Sequence, residues 1–518
     1  MERLAVIDMG SNSWRLVVFD YEAGSRWWTI SDEIREAVRI GAGLDEDGSL
    51  REDAIERGVH AAAVFDGFCR ASGIERVETV ATSAIRDAPN REGLLGQIRE
   101  HTERIRPRLV DGAEEARYGY LAICNSTTLR EGFGLDIGGG SIQAMRIEGR
   151  RLAGTESLRL GSVRVSERFL PGEQAGKKQI AKLRAHAAEQ LEQLDWWSGG
   201  GELVGIGGTI RNLAAAVMKD AEIPAVDAQG FALKAGALDK LIDRLAAKPA
   251  SERGSIRGIK PDRGDVILGG ALVLSAAMKA GGFEQVTITE AGIREGVFVE
   301  SLLAGEDPPL FEDVRRASVE NLAHRYRAHG RHAEHVAELS LEMFDGLREV
   351  GAHALGGPER ELLWAACALH DVGVSIDYDD HHHHSKYLIQ NAGLPGYTPR
   401  ELILIALIAR FHRKGDPDAS ELGDLAESGD GRRLRTLSAI IRLAEQFERS
   451  RDGAIASIEV VRNGGPVELR ASVRPGGDPQ VPLWSARRNS ELLAEVIDRD
   501  VEISAARAAG ELGRLGLA

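Results

Sequence analysis

Short apolar runs that end in glycine recur along the first 300 residues and predict buried strands leading into tight loops. LAVIDMG (4–10) and WRLVVFDY (14–21) flank a polar loop, so this segment predicts a strand, a loop and a second strand. FGLDIGGGSIQAMRIEG (133–149) repeats the arrangement, and Asp136 superposes on Asp8 with an offset of 136 − 8 = 128 residues. Two copies of the pattern Asp, apolar, Gly, two variable residues and Ser at domain spacing indicate an internal duplication.

Helical periodicity separates these predicted strand pairs. Residues 52–73 have apolar positions at helical spacing and end on glycine, and a second helix is predicted from near Gly112. The segment RVETVATSAIRDAPN (76–90) is predicted as a strand that runs into a loop. ELVGIGGTIRNLAAAV (202–217) and VTITEAGIREGVFVESLL (286–303) each predict a strand, a short loop and a helix.

The predicted secondary structure changes after the proline-bearing segment LAGEDPPLF (303–311). Residues 312–450 are predicted to be mostly helical, and residues 324–412 hold eleven of the fourteen histidines. Strand patterns return from about residue 451 and are followed by the predicted helix ELLAEVIDR (491–499). The predicted domains are 1–123, 124–305, 306–450 and a small α+β tail at 451–518.

Composition and charge narrow the functional classes. A length of 518 residues suffices for several hydrophobic cores, and three cysteines without a CxxC pair are typical of a reducing compartment. The N-terminus lacks the apolar core of a secretory signal, and the run ILIALIA (403–409) is too short to span a bilayer, so we expect a cytoplasmic protein without a membrane partner. The formal net charge of −15 argues against nucleic acid as a partner and requires a local Arg or Lys cluster for any polyanionic substrate.

The glycine loops have chemistry that suits phosphate. Successive N–H groups in a glycine turn form a nest for anionic oxygens, and the run 138–140 would let the main chain approach a phosphate without Cβ collisions. Asp8 and Asp136 end predicted strands, where a carboxylate can hold Mg²⁺. Ser11, Ser141 and Thr209 add hydroxyl donors. Each loop taken singly also fits an ordinary hairpin turn.

The segment VDGAEEARYGYLA (110–122) places Glu114 and Glu115 at a predicted helix N-terminus. The positive end of the helix dipole favours an ionised carboxylate, which a general base requires. Acidic residues are also ordinary in a first helical turn, so this pattern alone leaves both interpretations open.

Six stretches in order along the chain resemble the exopolyphosphatase / guanosine pentaphosphate phosphohydrolase family. They are AVIDMGSNSWRLVV, ATSAIRDA, AEEARYGYLA, LDIGGGSIQ, GIGGTIRNLA and EAGIREGV, and they cover about residues 1–305. The resemblance implies an α/β fold of two actin-like (ribonuclease H-like) domains with the active site between them, followed by an all-α HD-like domain and the α+β tail. It implies a Mg²⁺-dependent hydrolase, with Mn²⁺ as the alternative metal, that forms a homodimer.

The resemblance also assigns roles to single residues. Glu115 matches the base that activates water, Arg86 the cation that neutralises substrate charge, and Asp136 the carboxylate associated with Mg²⁺. Gln143 stands where the family usually has Glu, which predicts weaker metal binding and reduced activity. The residues expected to bind phosphate are those of the three glycine loops: Gly10, Ser11, Asn12, Ser13, Gly138, Gly139, Gly140, Ser141, Gly207, Gly208 and Thr209.

The histidine-rich segment resembles the HD-domain superfamily of metal-dependent phosphohydrolases. His332, His370 and Asp371 match its ligand pattern, and clustered His and Asp from different helices suit a metal site in a helical bundle. Glu445 and Glu448 stand where that superfamily has Asp. A catalytic second metal site and a helical extension that lengthens a polyphosphate groove or builds a dimer both remain open. Three further histidines are expected to be ordinary surface or core residues: His329, His335 and His353.

The leading hypothesis is hydrolysis of terminal orthophosphate from inorganic polyphosphate. Removal of the 5′-phosphate from guanosine pentaphosphate is the alternative, because the phosphate chemistry is the same. A sugar-kinase-like phosphotransferase and a non-catalytic polyphosphate or nucleotide sensor are two further hypotheses. The pattern of residues does not indicate substrate chain length or oligomeric state.

Overall fold

The computed structural model of the protein describes residues 1–24, 27–43, 48–328, 330–462 and 464–505. The chain divides into two units. The first comprises Met1–Ile223, Asp227–Arg315 and Pro395–Tyr397, and the second comprises Pro224–Val226, Arg316–Leu394 and Thr398–Ala518. The first unit is built on two β-sheets, whereas the second is mostly helical and carries one small sheet.

The first sheet of the first unit has five strands. They are β1 (Glu2–Met9), β2 (Trp14–Glu22), β3 (Trp27–Glu36), β4 (Arg76–Ala81) and β5 (Arg108–Leu109), in the order β3-β2-β1-β4-β5. The helices along this part of the chain are α1 (Glu52–Ala71), α2 (Ser83–Arg86) and α3 (Arg91–His101). β1, β2 and β3 are antiparallel neighbours, and β4 and β5 continue the sheet in parallel with β1. A core around Ile7, Trp14 and Phe65 holds the helices against this sheet.

The second sheet repeats the first. Its strands are β6 (Gly132–Ile137), β7 (Ile142–Glu148), β8 (Arg151–Leu158), β9 (Leu203–Ile206), β10 (Ala232–Lys234) and β11 (Gln285–Ile288). The order β8-β7-β6-β9-β11, with β10 added at the edge, has the antiparallel and parallel pairings of β3-β2-β1-β4-β5. The predicted duplication is therefore confirmed, and each copy has the strand order of an actin-like, ribonuclease H-like domain.

The register of the two hairpins is also repeated. Asp8 pairs with Arg15 across β1 and β2, and Asp136 pairs with Gln143 across β6 and β7. Both pairs obey the same offset, since 136 − 8 and 143 − 15 are both 128. Each aspartate is thus the last residue but one of the first strand of its copy, beside a glycine loop.

Eight α-helices lie between residues 112 and 302, the part of the chain that holds the second copy. They are α4 (Gly112–Cys124), α5 (Ser162–Phe169), α6 (Lys177–Leu191), α7 (Gly208–Asp220), α8 (Ala235–Ala247), α9 (Ala250–Arg253), α10 (Ile267–Gly281) and α11 (Ile293–Leu302). The predicted starts of two helices, near Gly112 and after Gly207, are confirmed. Helix α4 packs against β7, β8 and α11.

The second unit holds the helical bundle predicted from the histidine-rich segment. Its helices are α12 (Val314–Arg325, which begins in the first unit), α13 (Arg331–Glu349), α14 (Gly357–Leu369), α15 (His381–Ala392), α16 (Pro399–Phe411), α17 (Asp430–Phe447), α18 (Gln480–Arg488) and α19 (Glu491–Ile497). A three-stranded sheet, β12 (Ile455–Arg462), β13 (Val467–Val473) and β14 (Val501–Ala505), confirms the predicted return of strands. Helices α13 to α17 pack against one another. Their packing brings residues near the ends of these helices close together.

Within the described ranges, no helix combines the length and the apolar character needed to cross a membrane. The four domain boundaries and the homodimer expected from the sequence stay predictions.

Candidate active site and phosphate-binding cleft

The glycine loops of the two repeats meet at the ends of β1 and β6. A Cβ atom on Gly139 would lie 2.8 Å from Cβ of Ser11, and one on Gly140 would lie 2.5 Å from Oγ of Ser83. Because Cβ atoms do not approach other atoms this closely, only glycine lets the second loop come this close to the first. The structure therefore brings Ser11 of one repeat beside Gly139 and Gly140 of the other.

A cavity of about 990 Å³ opens next to these loops. Its lining includes Ser11 and Asn12 from the first loop and four arginines, Arg39, Arg159, Arg164 and Arg168. Helix α5 closes one side, because Nε of Arg164 donates to the carbonyl oxygen of Gly140 at 2.9 Å. Three carboxylates, of Glu167, Glu173 and Asp265, share this wall, so the cavity mixes positive and negative side chains.

Three carboxylates from three elements, those of Asp8, Glu115 and Asp136, lie close enough to one another to shift each other's pKa. Burial, followed by the charges of Asp136 and Asp8, raises the pKa of Glu115 to about 8, against the opposing charge of Arg86. Burial and the charge of Asp8 raise the pKa of Asp136 to about 6, and burial raises the pKa of Asp8. Asp8 and Asp136 are thus close enough to interact electrostatically, and their roles as metal ligands stay predictions. Three mutually repelling carboxylates are typical of a functional site rather than of a stabilising network.

Helix α4 places Glu115 within the cluster. Asp111 caps the helix by accepting from the amide of Glu114 at 2.8 Å, and the Glu114 carboxylate accepts from the amide of Asp111 in return. This capping box fixes the first turn and leaves Glu115, rather than Glu114, on the buried side. Nη1 of Arg86 donates to Oε2 of Glu115 at 3.2 Å. Arg86 reaches it from the short helix α2, which the sequence had predicted as loop.

The third glycine loop supports Asp136. Gly207 has a φ of +92°, and a Cβ there would lie 2.4 Å from Oδ1 of Asp136. A Cβ on Gly208 would lie 2.5 Å from Nη2 of Arg263, so this glycine admits a guanidinium to the start of α7. Thr209 is buried, and its hydroxyl donates to Oγ of Ser162 at 3.4 Å.

Gln143 lies beside Asp136 and is fully buried. Its Nε2 donates to Oγ of Ser141 at 2.8 Å. Its Oε1 has no hydrogen-bond donor among the residues that the structure describes. A buried oxygen without a donor is costly and marks a place where a ligand or metal-bound water can donate.

A group of six cations is the part of the site that the sequence did not predict, and three of them, Arg15, Arg211 and Arg294, act electrostatically on Asp8 or Asp136. The six are Arg15, Arg35, Arg211, Lys260, Arg263 and Arg294. Burial, followed by the charges of Arg294, Arg211 and Arg35, lowers the pKa of Arg15 to about 10. Burial and the charges of Arg35 and Arg211 lower the pKa of Arg263 to about 10. Four of the six already pair with a carboxylate: Arg15 with Glu33, Arg35 with Asp262, Arg211 with Glu290 and Arg294 with Glu295. The repulsion that still lowers the pKa of Arg15 and Arg263 would be relieved further by an anion of high charge.

The origin of these cations explains why sequence reasoning missed them. Arg15, Arg211 and Arg294 lie inside motif stretches that were recognised, but a single arginine in a motif has no distinguishing pattern. Arg35 and Arg263 lie outside every recognised stretch and enter the cluster only through folding. Arg35 forms an ion pair with Asp262, which ties strand β3 to the turn that carries Arg263.

The residues present fit a divalent metal ion. Asp8 and Asp136 supply carboxylate oxygens, and Gln143 supplies the buried oxygen that lacks a donor. Hard cations such as Mg²⁺ and Mn²⁺ prefer oxygen ligands of this kind. A cation there would also offset the repulsion that raises the pKa of Asp136 and Glu115.

The predicted ligands of the second unit also lie together. Donor atoms of His332, His370 and Asp371 fall within 4.8 Å of one another, and Nε2 of His332 lies 3.1 Å from Oε2 of Glu445. Although burial opposes it, Asp371 and Glu445 raise the pKa of His370 to about 9. Glu448 stays outside this cluster and contacts Nδ1 of His335 at 2.8 Å. His335 and His353 are buried, the latter bonded to a backbone oxygen, whereas His329 lies outside the described residues.

The chain has two ribonuclease H-like sheets, and their glycine loops lie near carboxylates and cations. This combination defines the class of protein: an actin-like fold with a site suited to phosphate groups. The chain belongs to the Ppx/GppA phosphatase family. The family model matches residues 17–304, and a second model, for domain III of the same family, matches residues 314–470. This is a family of hydrolases that act on polyphosphate or nucleotide polyphosphates and generally use divalent metals.

Solved structures agree with this assignment. The chain is 28% identical to the Ppx/GppA family member from Aquifex aeolicus, with a TM-score of 0.50, over 58% of this chain and 98% of that one. An exopolyphosphatase from Cytophaga hutchinsonii has 23% identity and a TM-score of 0.54, over 58% of this chain and 98% of that one. At this identity the second likeness shows the fold alone.

Proposed function

We propose that the protein is an exopolyphosphatase, which hydrolyses terminal orthophosphate from inorganic polyphosphate with a divalent metal ion. The observation that carries the proposal is the group of six cations, of which Arg15, Arg211 and Arg294 act on Asp8 or Asp136 and Arg263 lies against Gly208. A polyphosphate chain bears negative charge on every phosphate, so it relieves the repulsion within such a cluster more fully than a single phosphate would. The cavity of about 990 Å³ beside the first glycine loop has room for several phosphates, although its wall is lined by other arginines, Arg39, Arg159, Arg164 and Arg168, and not by the six cations.

The role proposed for each residue follows from where its side chain lies in the site. Glu115 accepts a proton from the water that attacks the terminal phosphorus, and Arg86 orients that carboxylate through its 3.2 Å contact. The backbone of the glycine loops binds phosphoryl oxygens, and the cations hold the remaining chain. Mg²⁺ or Mn²⁺ held by Asp8, Asp136 and Gln143 would offset the charge of the transferring group. The bond to the attacking water forms as the bond to the shortened chain breaks.

Phosphate release from defined substrates tests the proposal. Purified protein with Mg²⁺ is expected to release orthophosphate from long-chain polyphosphate without ATP or an acceptor hydroxyl, which would also exclude a sugar-kinase-like reaction. A higher kcat/KM with guanosine pentaphosphate would make the nucleotide the substrate instead. Tight polyphosphate binding without release under either Mg²⁺ or Mn²⁺ would indicate a sensor.

The Arg86→Gln variant is expected to move the acidic limb of the pH profile of kcat/KM to higher pH by about one unit. Arg86 opposes the burial and the Asp136 charge that raise the pKa of Glu115, so its removal raises that pKa further. A base with a higher pKa is protonated sooner as pH falls, and the rate therefore drops at a higher pH. Arg108→Gln is the matched control, because Arg108 contacts Glu114 instead. An unchanged limb in Arg86→Gln would mean that Glu115 is not the titrating base.

The Gln143→Glu variant is expected to lower the Mg²⁺ concentration for half-maximal activity by roughly tenfold. The substitution converts a buried oxygen without a donor into a charged ligand beside Asp136. A Mg²⁺ titration of phosphate release measures the change, with the exposed Gln97→Glu as the control for added negative charge. Unchanged Mg²⁺ dependence and rate would place the metal away from Gln143.

A further inference from the structure

The three carbonyl groups of the second glycine loop all accept hydrogen bonds from the first turn of helix α5. The carbonyl oxygens of Gly138 and Gly139 each accept from a backbone amide of this turn, at 2.9 Å in both cases. The carbonyl oxygen of Gly140 accepts from a side chain instead, because Nε of Arg164 donates to it at 2.9 Å. Three successive peptide groups of the loop are therefore held by one helix end.

Gly161, the residue before α5, allows the helix to approach the loop this closely. A Cβ atom on Gly161 would lie 2.3 Å from the carbonyl oxygen of Gly139 and 2.3 Å from the carbonyl carbon of Gly140. Any other residue would push the helix and the loop apart. The contact between the two elements is therefore fixed by the backbone, and the side chain of Arg164 completes it.

The amides of the same peptide groups point away from α5. In a trans peptide group the N–H and the C=O point in opposite directions, so the bonds to the carbonyls of residues 138–140 also orient the amides of residues 139–141. Over the part of the chain that the structure describes, these three amides donate to no acceptor. Successive amides of this kind form a nest for anionic oxygens, and α5 sets the direction in which the nest opens.

The first glycine loop has the same arrangement with a different donor. Asn12 matches Gly140, since 140 − 12 is again the repeat offset of 128 residues. The carbonyl oxygen of Asn12 accepts from the backbone amide of Arg39 at 2.9 Å. The matching carbonyl is thus held in both repeats, but only in the second repeat does a side chain hold it. A substitution of Arg164 can therefore release this peptide group without altering the backbone.

We infer that Arg164 is a positioning residue, whose Nε holds the carbonyl of Gly140 so that the amide of Ser141 donates to a phosphoryl oxygen of the ligand. This role rests on the proposed function, since it needs the loop to bind phosphate, and it identifies what orients the loop for that task. Arg164 acts here through one peptide group, the one between Gly140 and Ser141, and its Nε does not touch the ligand.

Direct contact between Arg164 and the ligand is the competing explanation. The side chain lines the cavity of about 990 Å³, where its Nη atoms could bind an anion themselves. Its charge would also attract an anion through space. Both of these effects come from the charged guanidinium, whereas the inferred role needs only a donor at the position of Nε. Side chains that keep this donor and lose the charge therefore separate the two explanations.

Glutamine and methionine are the two replacements that make this separation. Nε2 of glutamine is bonded to Cδ, as Nε of arginine is, so Arg164→Gln keeps a donor at the same place along the side chain. Arg164→Met has a methyl group at that place and no donor. Because both variants lose the positive charge, any difference between them reports the hydrogen bond to Gly140.

Orthophosphate binding to the full-length protein in Mg²⁺ tests the role, because this anion is not hydrolysed. Arg164→Met is expected to bind orthophosphate about tenfold more weakly than the unmodified protein, whereas Arg164→Gln is expected to stay within about threefold. Isothermal titration calorimetry measures these affinities. In phosphate release from polyphosphate, kcat of Arg164→Met is expected to fall by more than KM rises, because a donor aimed at the transferring group acts most strongly in the transition state.

The amide resonance of Ser141 reports the orientation of the peptide group. In protein labelled with ¹⁵N-serine, the Ser141→Ala variant identifies this resonance. Orthophosphate is expected to shift it downfield in the unmodified protein and in Arg164→Gln, but not in Arg164→Met. If Arg164 only tied α5 to the loop, Arg164→Met would be less stable but would keep the shift, and the positioning role would be wrong.

Arg168 provides the matched control. It lies one turn further along α5 and lines the same cavity, but its guanidinium lies over the ring of Phe169. Arg168→Gln and Arg168→Met are therefore expected to bind orthophosphate equally. Equal losses of affinity in Arg164→Gln and Arg164→Met would assign the effect to charge or direct contact and overturn the inference, as would unchanged affinity in Arg164→Met. Circular dichroism identifies a variant that fails to fold, and Arg164→Leu, which also lacks a donor, then replaces Arg164→Met.

Orthophosphate binding does not depend on which phosphate compound is the substrate. If the unmodified protein released no orthophosphate from polyphosphate while Arg164→Met alone lost orthophosphate binding, the proposed reaction would fail and the role of Arg164 would stand. Normal release together with unchanged orthophosphate affinity in Arg164→Met would give the opposite result. An unmodified protein that binds no orthophosphate would also overturn the role, because the loop would then hold no phosphate.

Discussion

Replacing Glu115 with glutamine is expected to lower the rate of orthophosphate release from polyphosphate by about 10³-fold. The glutamine keeps the size of the side chain and its contact with Arg86, but it cannot accept a proton from water. Burial and the charges of Asp136 and Asp8 raise the pKa of Glu115 to about 8, which is close to the value that a base needs near neutral pH. Steady-state kinetics at saturating Mg²⁺ measure the loss in kcat.

Glu114→Gln is the matched control for that variant. Glu114 is the next residue on the same helix, where it completes the capping box and pairs with Arg108. Glutamine can still accept from the amide of Asp111, so replacing Glu114 is expected to cost less than about 1 kcal/mol of stability and to leave kcat within a few-fold of the unmodified value. Undiminished phosphate release by Glu115→Gln would remove this residue from catalysis and would leave the proposed mechanism without a base.

The fold was predictable where local pattern and burial agree. The repeated pattern around Asp8 and Asp136 predicted both hairpins, because each glycine loop joins two buried strands. Strand β3 was not predicted, since most of its residues are partly or fully exposed and give no apolar alternation. The four-residue helix α2 was predicted as loop, because so short a helix has no periodicity to detect.

The candidate site was predictable only in part for a related reason. The glycine loops and Glu115 carry local signals, and the structure brings them into one cleft, although their roles stay predictions. The six cations come from positions 15 to 294 and have no shared local pattern, so only the tertiary fold brings them together. In the same way, the sequence showed a run of four histidines at 381–384 but not that His381 and His382 are the buried pair, because burial depends on which face of α15 packs in the bundle.

The Gly207→Ala variant is expected to lower phosphate release by at least about 10²-fold, because it displaces a carboxylate of the site. An added Cβ would lie 2.4 Å from Oδ1 of Asp136 and 3.2 Å from the carbonyl oxygen of Ile137. The backbone of Ile137 belongs to strand β6 and cannot move freely, so the Asp136 side chain must turn away. Alanine at a φ of +92° also strains the backbone by about 1–2 kcal/mol.

The effect of strain can be separated from the effect on Asp136. Gly201 has a φ of +99°, and a Cβ there would meet no described atom within 4 Å. Gly201→Ala is therefore expected to lower the free energy of unfolding by the same amount, about 1–2 kcal/mol, while retaining activity. Parallel melting curves and Mg²⁺-dependent phosphate release distinguish the two variants. If Gly207→Ala lost only as much activity as Gly201→Ala, the position of Asp136 would not matter for catalysis, and the metal would have to be held elsewhere in the cleft.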